Sequence, residues 1–154
     1  MATLVNEQRV IFNPEQAAIF DAIPKSITNN QDYLFFIHTA SGCGKTFLCN
    51  TVVTEVRRRE QVALYIASSR IAALLLDRER TSYSCFKIPL SINEDSVAGL
   101  KWNSYMFPVI QQTKVIIWDE VPMQHKYDID AIDQYLRDLL EVSDYLHLIA
   151  IELT

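Results

Sequence analysis

The residues of this chain best suited to chemistry are a Gly-Cys-Gly-Lys-Thr run at 42–46 and an Asp-Glu pair at 119–120. Glycines that open a helix cradle phosphates, because successive backbone N–H groups and the positive end of the helix dipole face the same anion. In such a loop Thr39, Ala40, Ser41, Gly42, Cys43, Gly44, Lys45, Thr46 and Phe47 would line a nucleotide, with Lys45 on the β- and γ-phosphates and the Thr46 hydroxyl on Mg²⁺. Thr39 stands where the pattern G-x-x-x-x-G-K-[ST] has its first glycine. A β-branched residue is strained wherever a loop needs positive φ, so Thr39→Gly is expected to relieve on the order of 1 kcal/mol. Asp119 and Glu120 follow Val115-Ile116-Ile117-Trp118, a strand apolar at every position, and so sit at the edge where open α/β sheets bind ligands. There Asp119 would hold the metal and Glu120 would polarise the attacking water. Alone, the acids are an ordinary solvated strand end and the loop a Gly-containing turn with a lysine; together they point to a Mg²⁺-ATP site.

The elements that must position these groups follow from periodicity. Residues 33–37 form an apolar and aromatic strand entering the loop, and 47–53 continue from it at helical spacing toward Arg57-Arg58-Arg59, where cations suit a helix C-terminus. Asn13-Pro14 is a helix start, with Ala17, Ile19, Phe20 and Ile23 as its apolar face up to Pro24. Residues 62–67 are a second strand and 71–76 a short apolar helix. Pro89, Gly99 and Pro108 interrupt 77–108, read as loops with a short helix near 97–102. Helical spacing returns over 128–141. Residues 1–10 read as a frayed, disordered arm and 141–154 as an atypical tail, which leaves 11–140 as one domain. This β-α-β alternation predicts an α/β fold, a mainly parallel sheet with helices on both faces.

Composition is consistent with one globular domain: 154 residues, 49% hydrophobic and 10% aromatic. Fourteen basic against nineteen acidic side chains give a net charge of −5, so any nucleic-acid surface must be local. Cys43, Cys49 and Cys85 have no zinc-type spacing and fit buried thiols in a reducing compartment. No apolar run reaches membrane-spanning length. His38, His125 and His147 are dispersed and lack ligand spacing.

Two further groups carry weaker signals. The amide of Gln16 offers a donor and an acceptor to an adenine edge, and read alone is a surface glutamine. The run 81–87 brings hydroxyls, Tyr83, Phe86 and Lys87 together, chemistry that suits stacking on bases and touching phosphates of a single strand; core aromatics are the competing reading.

With these pieces in order the chain resembles the superfamily-one DNA helicases of the petite-integration-frequency type, including the helicase part of Helitron transposons. Asn13-x-Glu15-Gln16 is similar to the family's adenine-reading motif, 40–47 to its phosphate loop and 67–76 to its motif Ia. Residues 80–90 are similar to its single-strand motif, and Ile116-Ile117-Trp118-Asp119-Glu120-Val121-Pro122-Met123 to its metal-binding motif, followed by the Leu136-Arg137-Asp138-Leu139 helix. The resemblance implies the first RecA-like motor domain of a P-loop NTPase. It implies Mg²⁺-ATP hydrolysis through Lys45, Asp119 and Glu120 coupled to DNA unwinding, with single-stranded DNA at Ser68, Ser69, Thr81, Tyr83, Phe86 and Lys87. It also implies service in DNA repair, recombination and telomere maintenance, and a nuclear or mitochondrial place. The chain departs from the family at Thr39 and Ser41, usually glycines, at Arg70, usually small, at Tyr83, usually histidine, and at Asp77-Arg78-Glu79, usually a Pro-Gly turn. It stops before the family's motif III and second motor domain, as a truncated gene model or degenerate transposon copy would. A monomer with weak single-strand affinity is expected. The alternatives are a nucleotide- and strand-binding module or inert remnant without turnover, and a P-loop small-molecule kinase.

Overall fold

The computed structural model of the protein describes residues 2–29, 34–40, 42–74, 81–89, 91–101, 103–140 and 147–153. Four strands, β1 (Leu34–Thr39), β2 (Val62–Ala67), β3 (Thr113–Asp119) and β4 (His147–Leu153), form one sheet in the order β1-β4-β3-β2. Every pairing is parallel, so the C-terminal ends of β1 and β3 share one edge of the sheet. The expected strands are all present, and the parallel α/β architecture is as read. The atypical tail is corrected: it contributes β4, which fills the slot between β1 and β3.

Helices cover both faces. Against one face pack α1 (Ala2–Val10), α2 (Pro14–Thr28) and α3 (Lys45–Arg58), in a core joining Val5, Phe20, Ile23, Val52 and Val56 to Ala63, Tyr65, Val115 and Ile117 of the sheet. The other face carries Leu64, Ile66, Ile116 and Trp118. On it lie α5 (Ser82–Phe86), α6 (Met106–Gln112) and α7 (Lys126–Leu140), which supply Phe86, Met106, Ile110, Ile132 and Leu136. Strict alternation along β2 and β3 sends successive side chains to opposite cores, which is why these strands read as unbroken apolar runs. A short helix, α4 (Arg70–Leu74), follows β2.

Three expectations change in detail. Residues 2–10 are a helix rather than a frayed arm, fastened by buried Val5 and by an Arg9–Asp21 ion pair of 2.6 Å. The second helix does not stop at Pro24 but runs through it to Thr28. Proline removes one N–H from the ladder, while the Ser26 hydroxyl donates to the Ile23 carbonyl (2.8 Å) and the Thr28 hydroxyl to the Pro24 carbonyl (2.9 Å). The helix expected near 97–102 lies instead at Met106–Gln112, with Pro108 in its first turn, where a missing N–H costs nothing. Trp102 is outside the described residues, as are Ser41, Leu75, Leu76 and the 77–79 turn.

Candidate nucleotide site

The loop leaves β1 at Thr39 and enters α3 at Lys45. Gly42 and Gly44 take φ of 79° and 76°, the left-handed region where a side chain is costly. Gly44 has a second constraint: a Cβ there would meet the Gln16 amide nitrogen at 3.0 Å. That nitrogen donates to the Cys43 carbonyl (2.9 Å), while Gln16 Oε1 accepts from the Asn13 N–H (3.1 Å) and the Asn13 side chain caps α2 at the Gln16 N–H. Gln16 therefore spends its amide on a capping box and on the crest of the phosphate loop, a bracing role that sequence reading did not supply. Phe47 lies edge-on to Phe12, ring centroids 5.6 Å apart, tying the first turn of α3 to the start of α2.

Thr39 is not a strained loop residue. It closes β1 in register with Leu153, so its backbone is extended, the conformation β-branched residues favour; the positive φ values fall on Gly42 and Gly44. The predicted effect of Thr39→Gly therefore reverses sign: a loss of about 0.5–1 kcal/mol in unfolding free energy, read by urea denaturation.

Lys45 is half-buried and its ammonium donates to the Ala40 carbonyl (3.2 Å), which holds it over the loop. Thr46 is the next residue of the same first turn. From the end of β3 Asp119 faces this turn. Burial raises the Asp119 carboxyl above its ordinary range and the Glu120 charge adds to the rise, with Lys45 among the groups opposing it. Glu120 sits at φ 57°, an uncommon backbone for a non-glycine residue and one that clusters at functional sites. Three bonds hold it: its N–H donates to Asp119 Oδ1 (3.0 Å), its Oε2 accepts from the Ser69 hydroxyl (2.8 Å), and its carbonyl accepts from the Met123 N–H (3.0 Å). Ser68 is drawn to the same strand, its N–H on the Asp119 carbonyl (3.1 Å) and its hydroxyl accepting from the Trp118 indole (3.0 Å). The segment after β2 is thus bound to the end of β3 by the Ser69 hydroxyl on Glu120 and by the Ser68 backbone on Asp119.

The residues expected on a single strand divide. Phe86 is fully buried beneath the sheet, with its ring 6.5 Å from Tyr135, and cannot stack on a base; the core reading of this aromatic is the correct one. Tyr83 is half-buried and donates to Asp128 Oδ2 (3.0 Å). Thr81 caps α5 through the Ser84 N–H (3.1 Å), while Lys87 stands exposed at the end of that helix with φ 55°. Beneath them runs a network that sequence reading missed. The Ser82 hydroxyl donates to Gln124 Oε1 (2.9 Å), and the Gln124 amide donates to buried Asp128 (2.6 Å). It joins α5 to the single 3-10 turn Val121–Met123 that follows Glu120. Cys49 and Cys85 are buried and Cys43 is exposed on the loop; burial pushes the Cys49 thiol up to about 12, which makes it inert at neutral pH.

A strand, a loop with two left-handed glycines, a helix opening on Lys-Thr and an acid pair on the same sheet edge define a P-loop nucleotide-binding domain of the RecA-like kind. A family model of PIF1-like helicases matches residues 11–148. The chain belongs to the PIF1-like helicase family, and the match runs past the expected boundary at 140 into β4. Among curated proteins it is similar to the ATP-dependent DNA helicase Pif1 of Psychrobacter sp. (strain PRwf-1), with 27% identity over 105 residues, 68% of this chain and 16% of that protein. Among solved structures it is similar in fold to Bacteroides Pif1 bound to ssDNA, with a TM-score of 0.70, 22% identity and coverage of 93% of this chain and 32% of that one. Pif1 from Candida albicans gives a TM-score of 0.72 at 20% identity, covering 92% and 32%. The chain therefore spans about a third of the solved helicases, and a smaller share of the curated one.

Proposed function

We propose that this chain is the ATP-binding part of a motor that hydrolyses ATP to move along and unwind DNA. The observation that carries the reading is the shared sheet edge on which the Gly42–Gly44 loop and Lys45 face Asp119 and Glu120. Loop N–H groups and Lys45 bind and orient the β- and γ-phosphates, and Glu120, steered by Ser69, accepts the proton of the attacking water. Thr46 and Asp119 would hold Mg²⁺. One hydroxyl and one carboxylate are the hard oxygen donors that ion takes when phosphates and waters complete its shell, and among the described residues no cluster of three or more His, Cys, Asp or Glu competes for it. Bound there, the ion neutralises charge on the phosphates. Lys87, exposed at the C-terminal end of α5, is the cation we assign to strand contact, and the Ser69–Glu120 hydrogen bond ties the segment after β2 to the acid pair. For the whole protein we propose service in DNA repair, recombination or telomere maintenance within the nucleus or mitochondrion, on the strength of the family resemblance.

Phosphate release by the 154-residue chain, with and without single-stranded DNA, tests this reading together with thermal shift in Mg²⁺-ATP. The chain alone should bind nucleotide yet turn over near background. An arginine finger is worth roughly 10³–10⁵ in rate in such enzymes, and the family resemblance places that arginine on a second motor domain. Arg57 and Arg58 stand at the far end of α3, about 20 Å from the loop at 1.5 Å per residue, and Arg58 and Arg59 are bound to Glu55 at 2.7 and 2.8 Å. Single-strand binding should be weak and salt-sensitive, given the net charge of −5. Absence of any nucleotide-dependent shift would overturn the reading.

A further inference from the structure

Tyr65 lies where no family motif assigns a role. It is 7% exposed, and its hydroxyl is buried with no hydrogen bond of good geometry. Such a group costs about 1–3 kcal/mol unless something rewards it, and a phenylalanine would fill the same core space without that cost. Its position is specific. In the β2–β3 register Tyr65 stands opposite Ile117 and Ala67 opposite Asp119, so Tyr65 and Asp119 are diagonal neighbours on one face, within reach of an aromatic side chain. Ala67, directly across from Asp119, has only a methyl and leaves that space open. From above, Lys45 and Cys49 lie one turn apart on α3 and face the same spot. Register and helix face together therefore bring the phenol close to both the Cys49 thiol and the Asp119 carboxylate.

We propose that Tyr65 is a positioning residue of the metal site, its hydroxyl donating to the Asp119 carboxylate and fixing the pose in which that carboxylate receives a divalent cation. The proposal rests on the nucleotide reading above. Of the two acids at the strand end, Asp119 gains this buried donor, whereas Glu120 is served by Ser69 from the other side. Each carboxylate then has its own hydroxyl partner, one for ligation and one for handling water. Groups that orient a metal ligand typically change metal affinity 10- to 100-fold when removed.

The test is Mn²⁺ titration followed by electron paramagnetic resonance, with a saturating non-hydrolysable ATP analogue, on the wild type, Tyr65→Phe, Asp119→Asn and the double variant. Nucleotide binding is measured in parallel, and thermal midpoints are measured without metal. Tyr65→Phe should weaken Mn²⁺ at least about tenfold while its metal-free midpoint is unchanged or higher. In the Asp119→Asn background the same change should have no further effect. Equal Mn²⁺ affinity in wild type and Tyr65→Phe, with nucleotide bound by both, overturns the proposal and leaves the nucleotide reading standing. An equal loss in both backgrounds assigns Tyr65 a merely structural part and likewise overturns it. A wild type that binds no nucleotide overturns both.

Discussion

Lys45→Ala should take Mg²⁺-ATP binding down roughly 100-fold, the value of a charge-assisted hydrogen bond to phosphate at the upper end of its usual range. The lysine occupies the first turn of α3 and rests on the Ala40 carbonyl at 3.2 Å, so it reaches across the loop from the helix that the loop opens. Neither Thr46 nor Cys43 supplies a second positive charge. Because the side chain is only half-buried and sits at a helix start, the urea midpoint of the variant should match the wild type. Titration of a labelled ATP analogue into both proteins measures the effect; equal affinities would remove Lys45 from the phosphate site.

Phe86→Ala should destabilise the fold by about 3–5 kcal/mol, the range for truncating a buried aromatic. Domains of this size are held by roughly 5–15 kcal/mol in total, so the loss is large enough to unfold much of the population. Its ring is fully buried in the core with Ile66, Ile116, Trp118 and Ile132, and it is the largest apolar side chain that its five-residue helix sends into that core beside Cys85. Urea denaturation gives the free energy. Lys87→Ala is the contrasting variant: exposed at the end of the same helix, it should leave stability unchanged and weaken single-strand binding. A Phe86→Ala protein of wild-type stability that lost DNA affinity would restore the stacking role and contradict the buried position.

The chemistry-bearing part of this chain was legible because it is local. Gly44-Lys45-Thr46 after an apolar and aromatic run, and two acids after Val115-Ile116-Ile117-Trp118, encode turn, helix start and strand end within a few residues each. What escaped depends on partners distant in sequence. Residues 2–10 hold their helix through Val5 against the main core and through the ion pair to Asp21, neither of which a local pattern contains. Strand β4 is seven residues long and takes its order from β1 and β3 on either side. Thr39 was read from a loop pattern, whereas sheet pairing with Leu153 decides its backbone. Phe86 looked equally suited to stacking or to the core, and only the sheet above it decides which. Gln16 belongs to the same class, since its amide meets the Cys43 carbonyl, 27 positions further along the chain.

Amide hydrogen exchange across residues 42–47, with and without Mg²⁺-ATP, tests most directly whether this loop cradles phosphate. The backbone N–H groups from Gly42 to Phe47 and those flanking Asp119 should slow on addition of nucleotide, while α5 and α7, on the opposite face of the sheet, should keep their rates. Unchanged exchange throughout the loop at saturating Mg²⁺-ATP would contradict the nucleotide site and, with it, the motor function built upon it.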